Sequence, residues 1–599
     1  MSDWLSKRAC DSCRRKKIKC DATTPQCRNC QSASVGCTYN DPRRKRGPKV
    51  RRGPSGLAGL GLSPGPTPGH EHDLALHHSP SVFHIDNSTE GSPSSLPLSN
   101  QQPSPRSQSV RHETTGPSVR ATDRATGWVS PAAVELAAQR VRYDLLVALD
   151  TAMPSVPVED IVDQCISLYL QYYFPICPFV HEPRLRANAS LALPDSVEPN
   201  VNVSSPPSLE AEMMAMMAMR SFTLVTAVCA VTALNLSFTL FPDGHRIEQP
   251  FLAASRDMFR LYEDYDIENP DWTSMAIRLL HSSALHTCGR TGRSWHALGE
   301  VRLIATNLYI PSRSMPAQNF DPLEAQMRRF NYWISKMAER SAMVLNNRQV
   351  DLRTPFFERS LEHLFAAPDS LPLLDSSRKH NEHPFEERLL TGVDLCCRLW
   401  ALAADVISKV QSTDTHESNT QQISPSAPAG NISHLFESYI EFIAVLDQMP
   451  PWLESPESIV CSDEEVYHYQ KTCFFLQRTD LLVTYHCLKM VILHNCTSLD
   501  LTAALGLNDE PLAVALQKTQ IAYDLLHILD NVPLQSLQVG GEPCVEKIRQ
   551  VGSILLELVQ AVQNTTIKKR AKDCFARLLN YLTQLNSRVS MELSSDFTG

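Results

Sequence analysis

The sequence predicts a chain of three parts: a small cysteine-rich module stabilised by metal, a disordered linker and a large all-α domain. Three features lead to this prediction. Six cysteines stand at regular spacing between Cys10 and Cys37. Residues 53–130 are rich in Pro, Ser, Gly and Thr, and from Pro131 onward apolar residues recur at helical spacing. With 599 residues, the chain is too long for one domain.

The cysteines form two half-sites, each a C-x-x-C pair followed, after six residues, by a lone cysteine. The six members are Cys10, Cys13, Cys20, Cys27, Cys30 and Cys37. Six thiolates complete two tetrahedral zinc sites of four sulfurs each only when two sulfurs bridge the ions. Six thiolates and two Zn²⁺ carry a net charge of about −2, and the basic run between Cys13 and Cys20 supplies cations beside it. The cysteine count therefore predicts two zinc ions.

A disulfide framework is the alternative for a short cysteine-rich segment. No apolar signal-peptide pattern precedes Cys10, so we expect a reducing compartment, which favours metal over disulfides. About 40 residues cannot bury enough apolar surface to fold alone, so metal must stabilise the module at residues 1–40. The other twelve of the 18 cysteines show no C-x-x-C pair and are expected to be reduced thiols.

Three stretches of the N-terminal segment match a known pattern: Arg8–Asp21, Pro25–Cys30 and Gly36–Tyr39. They resemble the fungal binuclear zinc-cluster family of DNA-binding transcription factors. The resemblance implies that Cys10 and Cys27 bridge the two metal ions. It also implies that the short helix after Cys13 enters the major groove of DNA, where Lys16 and Lys17 match the positions that contact bases. Those bases are typically the guanines of a CGG-like triplet, whose O6 and N7 acceptors suit lysine donors.

Other cations near the cysteines are expected to contact phosphates. Those within the module are Arg14, Arg15, Lys19 and Arg28. A basic arm follows at residues 41–52, with seven cations among residues 43–52, and its Arg51 is also assigned to phosphates. The arm is expected to double as a nuclear import signal. The alternative for each single cation is an ordinary solvated charge.

Charge is distributed unevenly along the chain. Residues 1–52 carry fifteen Lys or Arg and four Asp or Glu, a net of +11, whereas the remaining 547 residues carry a net of −20. A basic head on an acidic body is expected when only the head contacts a polyanion. We find no phosphate-binding Gly-rich loop, no Gly-x-Ser-x-Gly elbow and no His-Glu-x-x-His motif, so an enzyme is not expected.

Residues 131–590 are predicted to form the all-α domain, followed by a tail at 591–599. Helical periodicity begins at Pro131 and recurs at 208–241, 296–308, 322–346, 389–410, 432–448, 465–494, 510–531, 544–563 and 567–587. The polar segment 411–430 is expected to be an exposed loop. Ser221–Phe241 has 21 residues without a charge, long enough to cross a membrane, but its many Ser and Thr residues favour a buried helix.

Parts of this domain, over roughly 160–360, resemble the helical regulatory region (middle homology region) that accompanies fungal zinc clusters. The motifs are Leu168–Pro183, Arg290–Trp295 and Glu324–Trp333. The pattern departs at Asn346–Gln349, where the family usually has Gly-Arg-Pro. Within these motifs, Trp295 and Trp333 are interpreted as core aromatics rather than as parts of a ligand site. No heptad repeat follows the zinc module, so a homodimer is expected to form through the helical body.

The predicted fold class is a small binuclear zinc-cluster module joined by a disordered linker to a large all-α domain. The predicted function is a sequence-specific transcription factor that regulates RNA polymerase II genes in the nucleus. Its expected partners are double-stranded DNA and the transcription machinery, and it is not expected to bind a membrane. Within this class, the regulated genes could be those of sugar utilisation or those of a secondary-metabolite gene cluster, and the sequence leaves both alternatives open. Outside it, the alternative is a zinc-dependent protein that binds RNA or another protein.

Overall fold

The structure is a computed structural model that describes residues 10–16, 19–23, 26–33, 35–38, 131–192, 209–308, 321–348, 350, 365, 370–417, 428–507 and 510–585. The chain divides into two compact units, Met1–Ser118 and Val119–Gly599. The predicted basic arm, the linker and the C-terminal tail lie outside the described residues.

The first unit contains two short helices, α1 (Asp11–Arg15) and α2 (Arg28–Ser32). Each helix begins at the residue after a cysteine, so the two half-sites share one local design. Helix α2 closes with a turn in which the Val35 N–H donates to the Cys30 oxygen at 3.0 Å. The buried hydrophobic residues among the described part of this unit are all cysteines: Cys10, Cys13, Cys27 and Cys30.

The second unit is a helical body. Its described residues contain sixteen α-helices and no strand, which confirms the predicted all-α class. The first eight are α3 (Pro131–Ala152), α4 (Val158–Leu168), α5 (Glu182–Ala192), α6 (Leu209–Asn235), α7 (Gly244–Glu268), α8 (Trp272–Thr287), α9 (Thr291–Asn307) and α10 (Pro322–Asn346). The others are α11 (Phe385–Glu417), α12 (Pro428–Ile443), α13 (Pro451–Glu454), α14 (Glu464–Ser498), α15 (Pro511–Asn531), α16 (Leu534–Val539), α17 (Gly541–Ala561) and α18 (Thr565–Gln584).

Local sequence explains where several helices begin. Helix α8 starts after Asp271, whose carboxylate accepts hydrogen bonds from the Thr273 N–H at 2.7 Å and the Ser274 N–H at 3.3 Å. The Ser274 hydroxyl in turn accepts from the Asp271 N–H at 3.0 Å, which completes a capping box. Helix α10 starts with Pro322 after the capping Asp321. Proline suits the first position of a helix, because the backbone N–H that it lacks would have no partner within the helix there.

Helix α6 contains the charge-free run that could be taken for a membrane span. Within the described chain it is the one helix long and apolar enough to cross a bilayer, and 67% of its most apolar window is buried inside the body. Its hydroxyls find partners within the helix: Thr223 donates to the Met219 oxygen at 2.8 Å and Thr226 to the Phe222 oxygen at 2.7 Å. These bonds let a polar side chain lie buried in an apolar core.

Two apolar clusters form the interior of the body. Helices α3 to α10 supply most of the first cluster, and helices α11, α12, α14, α15, α17 and α18 supply most of the second. The long helix α14 belongs to both, since Phe474 lies in the first cluster and Leu488 and Ile492 lie in the second. Helices α10, α11 and α14 therefore run where the two clusters meet.

The helical body departs from the sequence prediction in two ways. The segment 411–430 was expected to be a loop, but α11 continues to Glu417 and α12 begins at Pro428; residues 418–427 lie outside the described part. Six helices have no counterpart among the predicted helical ranges: α4, α5, α7, α8, α13 and α16. Helix α8 is buried on nearly every side, so it shows no single apolar stripe. Helix α7 does bury one face, which includes Ile247, Phe251, Met258 and Tyr262, and the prediction missed it.

Candidate metal centre and nucleic-acid interface

The structure brings the six predicted ligands of the first unit together. Their sulfurs fall into two groups of four, and within each group every sulfur lies within 4.8 Å of the others. One group is Cys10, Cys13, Cys20 and Cys27; the second is Cys10, Cys27, Cys30 and Cys37. Cys10 and Cys27 are common to both groups. This arrangement has the four terminal and two shared sulfurs that two tetrahedral ions require.

The distances between sulfurs fit zinc. Zn–S bonds of about 2.3 Å in a tetrahedron place the sulfurs roughly 3.8 Å apart. The Cys10 sulfur lies 3.7 Å from that of Cys27 and 3.5 Å from that of Cys30, and the Cys13 sulfur lies 3.6 Å from that of Cys27. None of the cysteines in the described chain forms a disulfide. The donor set and its spacing therefore suit two zinc ions better than the disulfide alternative.

Backbone N–H groups point at three of the sulfurs. The Cys13 N–H donates to Cys10 Sγ at 3.4 Å, and the Ala22 N–H donates to Cys20 Sγ at 3.4 Å. The Cys27 N–H donates to Cys37 Sγ at 3.5 Å. Ala22 has a left-handed φ of 51°, which turns the chain back after Cys20. Donors of this kind stabilise the thiolate form that binds zinc.

Two of the grouped cysteines, Cys10 and Cys13, have pKa values shifted in opposite directions. The N–H of Cys13 lowers the pKa of the Cys10 thiol to about 6, whereas burial raises the pKa of the Cys13 thiol to about 11. One thiolate is therefore favoured in the cluster, but further negative charge is disfavoured without a cation. Bound Zn²⁺ supplies that positive charge and holds the thiolates together.

Polar contacts that the sequence analysis did not assign tie the two half-sites together. The Asp11 N–H donates to the Thr38 oxygen at 2.8 Å, and the Thr38 hydroxyl donates to Asp11 Oδ2 at 3.2 Å. The Arg28 N–H donates to Asp21 Oδ1 at 3.3 Å, so Asp21 joins the first half-site to the start of α2. The only sequence signal for these roles was that Asp11, Asp21 and Thr38 belong to the matched stretches.

The predicted DNA-contacting cations fall into three sets. Lys16, Lys19 and Arg28 are exposed, and the Arg28 side chain is 90% accessible with its Nε 4.0 Å from Asp21 Oδ2. The backbones of Arg14 and Arg15 lie in α1. Lys17 and Arg51 lie outside the described residues. The described cations thus sit at the end of α1, before the third cysteine and at the start of α2, on both half-sites.

Comparison with known proteins identifies this segment. Residues 8–46 match the model of the fungal Zn(2)-Cys(6) binuclear cluster domain. The N-terminal segment is therefore a domain of that family, which binds two zinc ions. The match does not extend into the helical body, so the resemblance of residues 160–360 to the regulatory region is not confirmed.

Several curated fungal proteins are similar over the same segment. The maltose fermentation regulatory protein MAL13 of Saccharomyces cerevisiae is 52% identical over 47 residues, which are 8% of this chain and 10% of that protein. The citrinin biosynthesis transcriptional activator mrl3 of Monascus ruber is 50% identical over 42 residues, 7% of this chain and 8% of that protein. The quinic acid utilization activator of Emericella nidulans is 58% identical over 40 residues, 7% of this chain and 5% of that protein.

The chain thus spans a tenth or less of the length of these three relatives. The similarity identifies the zinc-cluster segment and not the whole protein. No solved structure matches the chain.

Proposed function

We propose that this protein is a sequence-specific, DNA-binding transcription regulator of fungal type and not an enzyme. The observation that carries the proposal is the match of residues 8–46 to the fungal Zn(2)-Cys(6) domain. Related segments occur in proteins named as activators or regulatory proteins of maltose fermentation, citrinin biosynthesis and quinic acid utilization. We place its action in the nucleus, on genes read by RNA polymerase II, together with the transcription machinery.

The distribution of charge supports a division of labour within the chain. Residues 1–52 carry a net charge of +11, and the rest of the chain carries −20. DNA attracts the basic head and repels the acidic body, so contact with phosphates is concentrated at the head. We assign all six cysteines to the two zinc ions, with Cys10 and Cys27 as the bridging ligands.

Within the head, the proposed contacts follow the order of the residues. Helix α1 and the residues after it enter the major groove, where Lys16 and Lys17 donate to guanines of a CGG-like triplet. Phosphates are contacted by Arg14, Arg15, Lys19, Arg28 and Arg51. The exposure of Lys16, Lys19 and Arg28 leaves these side chains accessible to DNA.

The pathway and the oligomeric state are finer points of the same proposal. Sugar utilisation and regulation of a secondary-metabolite gene cluster are both compatible with the names of the relatives, which divide between them. A homodimer would use the helical body. In keeping with this, helix α3 exposes Leu136, Tyr143 and Val147, which are large apolar side chains spaced along it.

Binding of the full-length, zinc-loaded protein to matched and scrambled duplexes tests the proposal. Duplexes selected from a random pool should contain a CGG-like triplet. Lys17→Ala should then weaken the binding free energy for the selected duplex by about 1–3 kcal/mol and change that for the scrambled duplex little, because contacts to bases determine sequence preference. Arg51→Ala is the matched control, and it should weaken both duplexes equally and reduce the salt dependence.

Two outcomes would contradict the proposal. Equal losses on both duplexes for Lys17→Ala would remove its base-reading role. Tighter binding to single-stranded RNA than to any duplex would favour the alternative of a zinc-dependent RNA-binding protein.

A further inference from the structure

A cavity of about 330 Å³ lies inside the helical body, where its two apolar clusters meet. On its walls, Leu298 and Ile334 belong to the first cluster, and Trp400 belongs to the second. The volume falls within the range of about 300–1,000 Å³ that is usual for small-molecule sites. Nothing in the proposed DNA contacts uses this cavity.

Four of the residues that line the cavity are Phe, Tyr or Trp. Tyr173 and Phe179 pack edge to face with ring centres 6.3 Å apart, and the Tyr173 hydroxyl is 2.7 Å from the Ser283 hydroxyl. Trp295 and Trp400 line the cavity as well. Trp295 packs against the first apolar cluster, in keeping with the predicted core aromatic, but it is only partly buried and also lines the cavity. Rigid flat surfaces of this kind suit a flat ring.

Lys547 on α17 places an ammonium group in the largely apolar wall of this cavity. The residue is 5% exposed, and its Nζ lies 2.6 Å from Asp480 Oδ1 and 2.7 Å from Thr484 Oγ1. Burial acts to lower the pKa of Lys547, but Asp480 outweighs it and raises that pKa, so the group stays charged. An ammonium has three N–H donors, and among the described residues the third has no hydrogen-bond partner.

A second ion pair lines the same cavity. His286 Nε2 lies 3.5 Å from Glu546 Oε2. Burial lowers the pKa of His286, but the hydrogen bond to Glu546 prevails and raises it, so the contact with Glu546 favours the charged form of the imidazole. Among the buried and partly buried residues of the wall, each cation is thus matched by a carboxylate, and the exposed Arg348 at its edge lies over the ring of Trp295 at 5.7 Å. A ligand with a net charge would find no unmatched partner there, so an uncharged ligand fits best.

We propose that this cavity binds an uncharged, flat ring compound whose carbonyl-type oxygen accepts a hydrogen bond from Lys547. The rings bury the apolar faces of the ligand, and the third N–H of Lys547 selects for its oxygen. The proposal does not depend on DNA binding, because its test measures ligand binding alone.

Equilibrium dialysis of the full-length protein against three probes tests the site. The probes are 2-acetylnaphthalene, which carries a carbonyl, naphthalene, which has no acceptor, and 2-naphthoate, which is an anion. We expect 2-acetylnaphthalene to bind at least about tenfold more tightly than either of the others, as a hydrogen bond to a charged donor predicts. Equal affinities for 2-acetylnaphthalene and naphthalene, or tighter binding of 2-naphthoate, would overturn the proposal.

A cavity-filling variant locates the binding. Ala338 lies on the wall of the cavity in α10, so Ala338→Phe should occupy the space and weaken 2-acetylnaphthalene at least tenfold. Ala513→Phe on α15 is the matched control, because Ala513 is exposed and outside the cavity lining. It should leave binding unchanged. Unchanged binding in Ala338→Phe would place the probe elsewhere and refute the site.

A double variant tests the role of Lys547 without leaving Asp480 buried and unpaired. Lys547→Met combined with Asp480→Leu replaces the ion pair by apolar side chains of similar size, a change that proteins often tolerate. The tenfold preference for 2-acetylnaphthalene over naphthalene should disappear, while naphthalene still binds. A preference that persists in this folded variant would refute recognition by Lys547.

Discussion

The zinc-cluster unit and the helical body are stabilised by different means. In the first unit, the buried hydrophobic residues of the described part are four cysteines that converge on a metal site. In the second, two clusters of buried apolar residues fill the interior, with side chains such as Phe222, Leu399 and Ile492 fully enclosed. We therefore expect the fold of the first unit to depend on zinc, and that of the second to depend on the hydrophobic effect.

Charge is also used differently in the two units. Lys16, Lys19 and Arg28 of the zinc-cluster unit lie at the surface, available to an external polyanion. The helical body instead buries charged groups in matched sets, such as Asp266 with Arg220 and Arg278, or Lys547 with Asp480. Mutations of these groups should therefore separate DNA binding from folding.

Removal of a buried carboxylate should have the larger effect on the helical body. Asp266 is fully buried and accepts from Arg220 at 2.6 Å, Arg278 at 2.5 Å and the Ser274 hydroxyl at 2.7 Å. Asp266→Ala leaves the buried Arg278 without this partner, so we expect the free energy of unfolding of the body to fall by about 3–5 kcal/mol. Urea unfolding of the full-length protein measures this loss.

Asp257→Ala on the same helix is the matched control. Asp257 is exposed and pairs with Arg260 at the surface, so its loss should cost less than about 1 kcal/mol. Zinc content should be unchanged in both folded variants. Equal destabilisation by the two substitutions would mean that the buried network does not stabilise the body.

Two glycine substitutions should have smaller effects of opposite sign. An added Cβ at Gly392 would lie 2.5 Å from Gln477 Oε1, and Gln477 is held by hydrogen bonds to the Pro175 oxygen at 2.6 Å and the Leu389 oxygen at 2.8 Å. We expect Gly392→Ala to destabilise the body by about 1–3 kcal/mol. At Gly299 in α9 a Cβ meets nothing within 4 Å, so Gly299→Ala should stabilise by about 0.5–1 kcal/mol.

Thermal unfolding of the two variants against the unchanged protein checks both signs. A stabilising Gly392→Ala would show that Gln477 can move aside, and that the packing between α11 and α14 is looser than the structure indicates.

The sequence predicted the zinc module well because its information is local. The spacing from Cys10 to Cys37 limits how six sulfurs can share two ions, and the structure groups them in that way. The contacts of Asp11 with Thr38 and of Asp21 with Arg28 were not predicted, because hydrogen bonds to the backbone depend on how the half-sites fold against each other.

In the helical body, prediction succeeded for several of the long helices. Helix α10 has the predicted bounds of 322–346, and α15 begins and ends within one residue of its predicted range. Helix α8 was missed because it is buried on nearly all sides. The cavity beside Lys547 was beyond prediction, since its walls come from helices far apart in the chain.

Titration of the metal-free, full-length protein with zinc tests the central claim most directly. Bound zinc, binding to the selected duplex and the thermal unfolding of the body are followed together. The account predicts two zinc ions per chain, duplex binding that develops only as they bind, and a body transition that does not change.

Two variants complete the titration. Cys27→Ser removes a sulfur common to both groups of four and should abolish binding of both zinc ions and of the duplex. Cys461→Ser in the helical body is the control, and it should retain two ions. One zinc ion per chain, duplex binding without zinc, or a body that unfolds when zinc is removed would contradict the account.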